Sequence, residues 1–352
     1  MPDLDAIHTA LARQPGCTGV HQDDLEPLSV TGIAHDHIRV RGLILDGYPA
    51  LLRIPRLSQW GLEAKANLAY QRTCFERAGP SNDTPRLLGV LPVSPHLPMG
   101  ALVVEDIAGR KPRLNSDMPA IADCLARIHG LPVPAKRAPL LVHDNPVAGT
   151  LTLIETQAVF LEVCGAHASA RAAIAEELAW ARDFAGSPPP GAHPISLVST
   201  DAHPGNFLID ALKPDRAVLV DLEKMLYGSP AIDLAHASLP TSTMWDPDIA
   251  GILSAEDIAG FIDSYFRAVG AGPAEALRPW ILPMRRLTWL RTMTWCARWL
   301  VLSRRGEDWS VGRLDPAFAD HLKRTISGYF APERIAASRA EWLEPGGLPS
   351  FL

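Results

Sequence analysis

The sequence predicts an α+β protein of two lobes, a small antiparallel sheet with one main helix followed by a larger, mostly helical lobe. Three observations carry this. Up to residue 105, short β-rich runs are broken by glycine turns and interrupted by one helical stretch. From 106 onward the apolar spacing is helical almost throughout, with one compact β interruption between 195 and 220. A length of 352 residues with 47 % apolar content, at roughly 100–200 residues per domain, provides for two domains or one large bilobal unit.

Each element has its local reason. Residues 3–13 have the spacing of a short helix, with Leu4, Ile7 and Leu11 on one face. Residues 28–54 read as strands broken at Gly32, Gly42 and Asp46-Gly47, the pattern of antiparallel strands joined by tight turns. Residues 61–78 are helical, with Leu62, Ala66 and Ala69 at helical spacing, and strands resume at 85–90 and 101–104. A helix opens near Ser116-Asp117 and carries Ile121, Leu125 and Ile128 to His129-Gly130. Two more helices fill 147–184 and end at the breaker Ser187-Pro188-Pro189-Pro190-Gly191. Short strands follow at 195–199, 207–209 and 217–220, the last two joined by the turn Lys213-Pro214-Asp215. Helices resume at Pro230, one of them opened by the capping-box-like Ser254-Ala255-Glu256-Asp257.

Charge and cysteine usage exclude several function classes. With 33 basic against 39 acidic residues the net charge is −6, a poor match for nucleic acid or an anionic membrane. The five cysteines are scattered without a C-x-x-C pair, which argues for buried, reduced thiols rather than a disulfide framework or a structural zinc. The acidic start Met1-Pro2-Asp3-Leu4-Asp5 is unlike a signal peptide, and no apolar run approaches the ~20 residues that span a bilayer. The expectation is a soluble, cytoplasmic protein; its oligomeric state is left open.

The chemistry concentrates in the β interruption. Asp201 is followed five residues later by Asn206, and fifteen residues on the strand 217–220 ends at Asp221-Leu222-Glu223. An Asp on a tight loop, an Asn past the turn and an Asp closing the next strand form the spacing of a phosphoryl-transfer centre. The first Asp can orient and deprotonate a hydroxyl. The Asn amide oxygen and the second Asp supply hard oxygen ligands to Mg²⁺, which neutralises phosphate charge during transfer. Taken singly, Asp201 and Asn206 read better as turn and loop residues.

Three segments together carry a family resemblance. Asp201-Ala202-His203-Pro204-Gly205-Asn206-Phe207-Leu208-Ile209-Asp210, Val218-Leu219-Val220-Asp221-Leu222-Glu223-Lys224 and Gly228-Ser229-Pro230-Ala231-Ile232-Asp233-Leu234-Ala235 resemble the aminoglycoside phosphotransferase and choline kinase superfamily. The resemblance is closest over 197–237 and holds in order from about 28 to 130. It implies a bilobal, protein-kinase-like fold with a nucleotide-binding lobe at 1–105 and a helical catalytic and substrate lobe at 106–352. It also implies ATP or GTP as co-substrate with Mg²⁺, and a small hydroxyl compound as acceptor. Asp201 then corresponds to the catalytic base, Asn206 and Asp221 to the metal ligands, and Glu223 to an auxiliary acid beside the metal or substrate.

In the first lobe the resemblance points to Arg53 as a phosphate-contacting base at a strand end, with Glu63 in the next helix as its ion-pair partner. Exposed strand and helix-start residues are the plainer account of those two. Gly32 is the lone glycine of a phosphate-covering loop, for which an ordinary β-turn is an equal account. The backbone around Glu105 and Ile107 corresponds to a hinge for an adenine edge. The family's His-Gly before the base is Ser199-Thr200 here. That His chiefly braces the loop, so the base and metal groups stand without it. Asp233 is expected to brace the same loop or to cap the helix after Pro230, and His203 and His193 lack a third partner at metal-ligand spacing.

The competing class is a non-catalytic nucleotide- or metabolite-binding protein on the same fold. A protein kinase is disfavoured by the lack of D-F-G, of A-P-E and of a glycine-rich loop. Of nine tryptophans, seven follow residue 240, so the acceptor pocket is expected there, with few contacts before 105. Trp245 beside Asp246 and Asp248 would suit a cationic or amphipathic hydroxyl compound, while most of the rings are expected to pack helices.

Overall fold

The computed structural model describes residues 3–28, 34–308, 314 and 316–351; Gly32 and the glycine-turn reading around it lie outside them. The chain opens with α1 (Leu4–Leu11), capped by Asp3, whose carboxylate accepts from the Ala6 N–H at 3.1 Å. Five strands follow: β1 (Leu25–Pro27), β2 (His35–Leu45), β3 (Tyr48–Pro55), β4 (Leu87–Leu91) and β5 (Ala101–Glu105). They form one antiparallel sheet in the order β1-β2-β3-β5-β4. The β2–β3 hairpin turns at Asp46 and Gly47, both at positive φ, as a two-residue hairpin loop of the favoured type requires. At Gly42, φ is +74° where the β2–β3 register shifts, so the predicted break is a bulge inside one long strand.

The helix α2 (Ala64–Ala78) lies between β3 and β4. One face of the sheet closes over α1 through Ile7, Leu11, Ile38, Leu52 and Leu91. From the other, Leu102 and Val104 join Leu68 and Phe75 of α2 in the large core of the helical lobe. The two lobes therefore share apolar packing behind the cleft.

Beyond β5 come β6 (Gly109–Arg110), α3 (Met118–His129), α4 (Pro146–Ala158) and α5 (Ala168–Gly186). The β interruption is β7 (Ser196–Val198), β8 (Phe207–Asp210), β9 (Ala217–Leu219) and β10 (Leu226–Gly228). It makes two small sheets, β6-β8-β9 and β7-β10, all antiparallel. The rest is helical: α6 (Pro230–Ser238), α7 (Pro240–Thr243), α8 (Ala255–Val269), α9 (Ala271–Leu277), α10 (Ile281–Arg305), α11 (Pro316–Tyr329) and α12 (Pro332–Leu343). The capping box forms as the sequence predicts, Ser254 and Asp257 each bonding the other's N–H. No described helix is long and apolar enough to cross a membrane, and all five cysteines are buried and free.

One buried acid pins three of these helices. Glu177 of α5, fully buried, accepts from Arg286 of α10 at 2.5 Å and from Arg339 of α12 at 2.8 Å. Removing it takes the carboxylate from the largely buried Arg286 and leaves Arg339 only the exposed Glu176, so Glu177→Ala is expected to cost about 3 kcal/mol. The measurement is the urea midpoint, which should fall with an unchanged slope.

Candidate active site

The β8–β9 hairpin is what brings the sequence motif together. Phe207 pairs with Leu219, and the Val220 N–H donates to the Asn206 carbonyl at 2.9 Å, so Asn206 and Asp221 leave the hairpin side by side. The Asn206 side-chain amide donates to the Asp201 carbonyl at 2.7 Å, fixing the loop's shape and leaving Oδ1 uncommitted. Thus one short hairpin sets the three residues around a common cleft, a cavity of about 800 Å³. Arg53, Glu105, Ile107 and Glu223 line it as well.

The loop carrying Asp201 is held from behind. Asp233 at the start of α6 accepts from the Ser199 N–H and the Thr200 N–H, both at 2.7 Å, as the sequence reading expected. His129 of α3 reaches the same carboxylate at 3.1 Å through Nε2, while its Nδ1 lies 3.0 Å from the Tyr265 hydroxyl. Thr200 stands where the family's glycine does, and it is held at φ +60°. For a β-branched residue this left-handed conformation costs on the order of 1–2 kcal/mol. Three bonds hold it there: the Asp233 contact, Thr200 Oγ1 donating to the Lys224 carbonyl at 3.1 Å, and Arg291 of α10 donating to the Thr200 carbonyl at 2.6 Å.

Asp201 faces a positive surround. Lys224 Nζ donates to its Oδ2 at 2.7 Å, and His236 Nε2 stands 3.7 Å from Oδ1. Burial alone would raise its pKa, but Lys224, His236 and His203 hold the carboxyl well below its usual range. It stays ionised. Burial likewise opposes the charge on Lys224, yet Asp201 and Glu223 keep its pKa raised. His203 caps the following turn, its Nδ1 accepting from the Gly205 N–H at 3.1 Å, and His193 stacks on Trp280 at 3.7 Å. Neither falls in a group of three possible ligand atoms among the described residues.

Arg53 is buried in β3 and donates to Asp221 rather than to Glu63. This corrects the expected ion pair. Glu63 is the exposed residue just before α2, and the face of that helix turned inward carries Asn67 and Gln71. Cross-strand register places His37 opposite Arg53, with His35 two residues away on the same face. Arg53 Nη2 lies 3.2 Å from His35 Nδ1, so Nδ1 accepts and the proton sits on Nε2, which donates to Gln71 at 3.1 Å. Burial, followed by the charge of Arg53, lowers the His35 pKa and keeps the ring neutral.

His35, Asp221 and Glu223 converge, with one ligand atom of each within 4.8 Å of the others. Glu223 Oε2 is buried without a hydrogen-bond partner, 3.5 Å from His35 Nε2. Burial and the neighbouring Asp221 push the Glu223 pKa up to about 8. An orphaned carboxylate oxygen beside a second acid fits a bound cation. Because His35 Nε2 is committed to Gln71, the matching donors are oxygens, from Asp221, Glu223 and the Asn206 amide. That donor set suits a hard divalent ion such as Mg²⁺.

At the cleft's other wall, β5 ends at Glu105, whose carboxylate accepts from the Arg86 N–H at 3.2 Å. The Ile107 N–H has no partner among the described residues. Arg39 of β2 closes over this segment, donating to Asp106 at 2.5 Å. On the helical side, half-buried Trp245 and Trp295 meet edge to face at 5.7 Å, and Trp299 lies beside them. Trp289 and Trp342 pack against each other instead, and Trp280 against His193. Asp246 and Asp248 beside Trp245 are both taken by Lys111, at 2.7 and 2.8 Å.

Fold and cleft together define a kinase-like phosphotransferase acting on small molecules. The sequence model described as the phosphotransferase enzyme family matches residues 30–280, and the chain belongs to that family. No curated protein sequence matches it significantly. Among solved structures it resembles a choline/ethanolamine kinase family protein from Mesorhizobium loti, at 21 % identity and a TM-score of 0.55, over 95 % of this chain and 98 % of that one. It also resembles a macrolide 2′-phosphotransferase from Brachybacterium faecium, at 14 % and 0.55, over 92 % and 97 % of the two chains. The GDP complex of aminoglycoside 2′-phosphotransferase-IIIa aligns at 12 % and 0.58, over 93 % and 99 %. At these identities the likeness establishes the fold, and the family implies a nucleotide co-substrate.

Proposed function

We propose that the protein transfers the γ-phosphoryl group of ATP or GTP to a hydroxyl of a small molecule, with Asp201 as base. The observation that carries this is the hairpin-enforced meeting of Asp201, Asn206 and Asp221 with the orphaned Glu223 oxygen in one cleft. Asn206, Asp221 and Glu223 would hold Mg²⁺, whose charge offsets that of the phosphates. The Ile107 N–H and the main chain at Glu105 suit a purine edge. Arg53, fixed on Asp221, orients that acid and brings positive charge toward the phosphate end.

In the reaction the acceptor oxygen bonds to the γ-phosphorus as the bond from phosphorus to the β,γ-bridging oxygen breaks. The hydroxyl proton passes to Asp201, and the nucleoside diphosphate leaves. An ionised Asp201 held by Lys224 at Oδ2 keeps Oδ1 for the acceptor hydroxyl. Lys224 places a positive charge beside the reacting oxygens.

Two measurements test the reading. Calorimetric titration should give ADP or GDP binding that depends on Mg²⁺, and ³¹P NMR should follow acceptor-dependent appearance of a phosphate ester. Tight Mg²⁺-nucleotide binding without ester formation, across a broad hydroxyl panel, would favour the non-catalytic binding protein. Loss of nucleotide binding altogether would remove both readings.

A further inference from the structure

The acceptor half of the cleft is laid out along α10. Arg291, Trp295 and Arg298 follow at helical spacing on the face turned into the cavity. At 1.5 Å rise per residue, Arg298 stands about 10 Å along the helix from Arg291. The first of these is committed to the Thr200 carbonyl beside the base. Arg298 is different. It is half-buried, lines the cavity, and makes no hydrogen bond or ion pair among the described residues.

The rest of this half has its charges matched. Lys111 occupies Asp246 and Asp248, Lys224 occupies Asp201, and Asp308 is buried and already engaged. A cationic acceptor would meet two arginines here and, among the described residues, no uncommitted carboxylate. Of the cationic or amphipathic compound expected from Trp245 beside two acids, this favours the amphipathic one. Near the base the unpartnered groups are neutral: Thr241 Oγ1, Ser242 Oγ and His236 Nδ1 are buried, lack hydrogen bonds and belong to residues lining the cavity. Between the two ends lies the edge-to-face pair of Trp245 and Trp295.

We propose that the acceptor is an anion: a hydroxyl compound with a flat or apolar body over Trp245 and Trp295 and a carboxylate or phosphate group received by Arg298. The inference rests on the phosphotransferase reading above and adds the substrate's charge to it. The hydroxyl end lies among Asp201, Thr241 and Ser242, whose carboxylate and hydroxyl groups can accept from or donate to the acceptor hydroxyl. The guanidinium at the far end supplies the fork of N–H donors that a carboxylate or a phosphate group takes through two of its oxygens.

The test uses the full chain and hydroxymethyl-substituted one- and two-ring aromatics in matched carboxylate, phosphate ester, carboxamide and aminomethyl forms. Binding is read by calorimetry in the presence of Mg²⁺ and ADP, and turnover by ester formation with ATP. The carboxylate or phosphate form should bind at least about tenfold tighter than the amide and the amine, as one charge-assisted contact gives. Which of the two anions leads identifies the group Arg298 receives. Arg298→Gln should bring the anion and the amide within about threefold, and Arg298→Glu should favour the amine, with Mg²⁺-ADP affinity unchanged in both. Equal binding of all forms, absent binding of all forms, or a preference surviving Arg298→Gln would overturn the acceptor assignment alone. Failure of both Mg²⁺-ADP and Mg²⁺-GDP to bind the unmutated protein would instead overturn the phosphotransferase reading beneath it.

Discussion

Asp201→Asn should lower kcat by roughly 10²–10⁴-fold, the usual contribution of a positioned general base, while leaving Mg²⁺-nucleotide affinity nearly intact. The separation follows from what each group touches. Asp201 is bonded to Lys224 and faces His236, on the side of the cleft lined by α7 and α10. Its link to the metal side is the main-chain carbonyl that takes the Asn206 amide, and an Asn side chain leaves that carbonyl in place. The amide keeps the shape of the carboxylate and can still accept from Lys224, so the loop should stay folded. What it loses is the negative charge that receives a proton. Because Lys224, His236 and His203 overcome burial and hold the Asp201 pKa far below neutrality, the wild type should show no acid limb from this group at ordinary pH. Single-turnover kinetics would check the chemical step, and calorimetry the nucleotide. Wild-type turnover in the variant would remove Asp201 from the chemistry, leaving its contact with Lys224 as a purely structural bond.

Much of this architecture could be read from local rules. Asp46-Gly47 announced its hairpin because few other pairs accept two positive φ values, and Ser254 announced α8 because a capping box is a contiguous signal. The spacing from Asp201 to Asn206 to Asp221 was legible because one hairpin joins them, so geometry is written into sequence separation. The missed features depend on contacts across the chain. β10 has three residues, all buried, and owes its existence to pairing with β7. The partner of Arg53 was misassigned because it lies 168 residues away, whereas Glu63 was merely near in sequence. Lys224 and Arg291 gave no motif at all; each matters through what a distant loop brings to it. The tryptophans divide by packing, with Trp289 and Trp342 in the core and Trp245 and Trp295 in the cleft, a division that composition cannot draw.

Asp221→Ala should be the most damaging change in the cleft, lowering kcat/KM on the order of 10³-fold or more, with the Mg²⁺ requirement rising sharply. Two losses combine. The first is a full negative charge from an oxygen set whose other members are a neutral amide and an acid already strained by burial. Asn206→Ala, which removes a dipole rather than a charge, should cost less in a Mg²⁺ titration at fixed nucleotide. The second loss falls on Arg53, whose side chain is 4 % exposed and has Asp221 as its carboxylate partner. Without it, Arg53 keeps weak contacts to His35, His37 and the Val220 carbonyl, and an unpaired buried charge costs about 3–5 kcal/mol of stability. A second change separates the two effects. Arg53→Met in the Asp221→Ala background removes the stranded charge, so the melting temperature should recover while the Mg²⁺ requirement does not. If Mg²⁺ dependence returned together with stability, Asp221 would be a structural partner of Arg53 rather than a ligand. If it stays lost in the restabilised protein, the acid belongs to the metal.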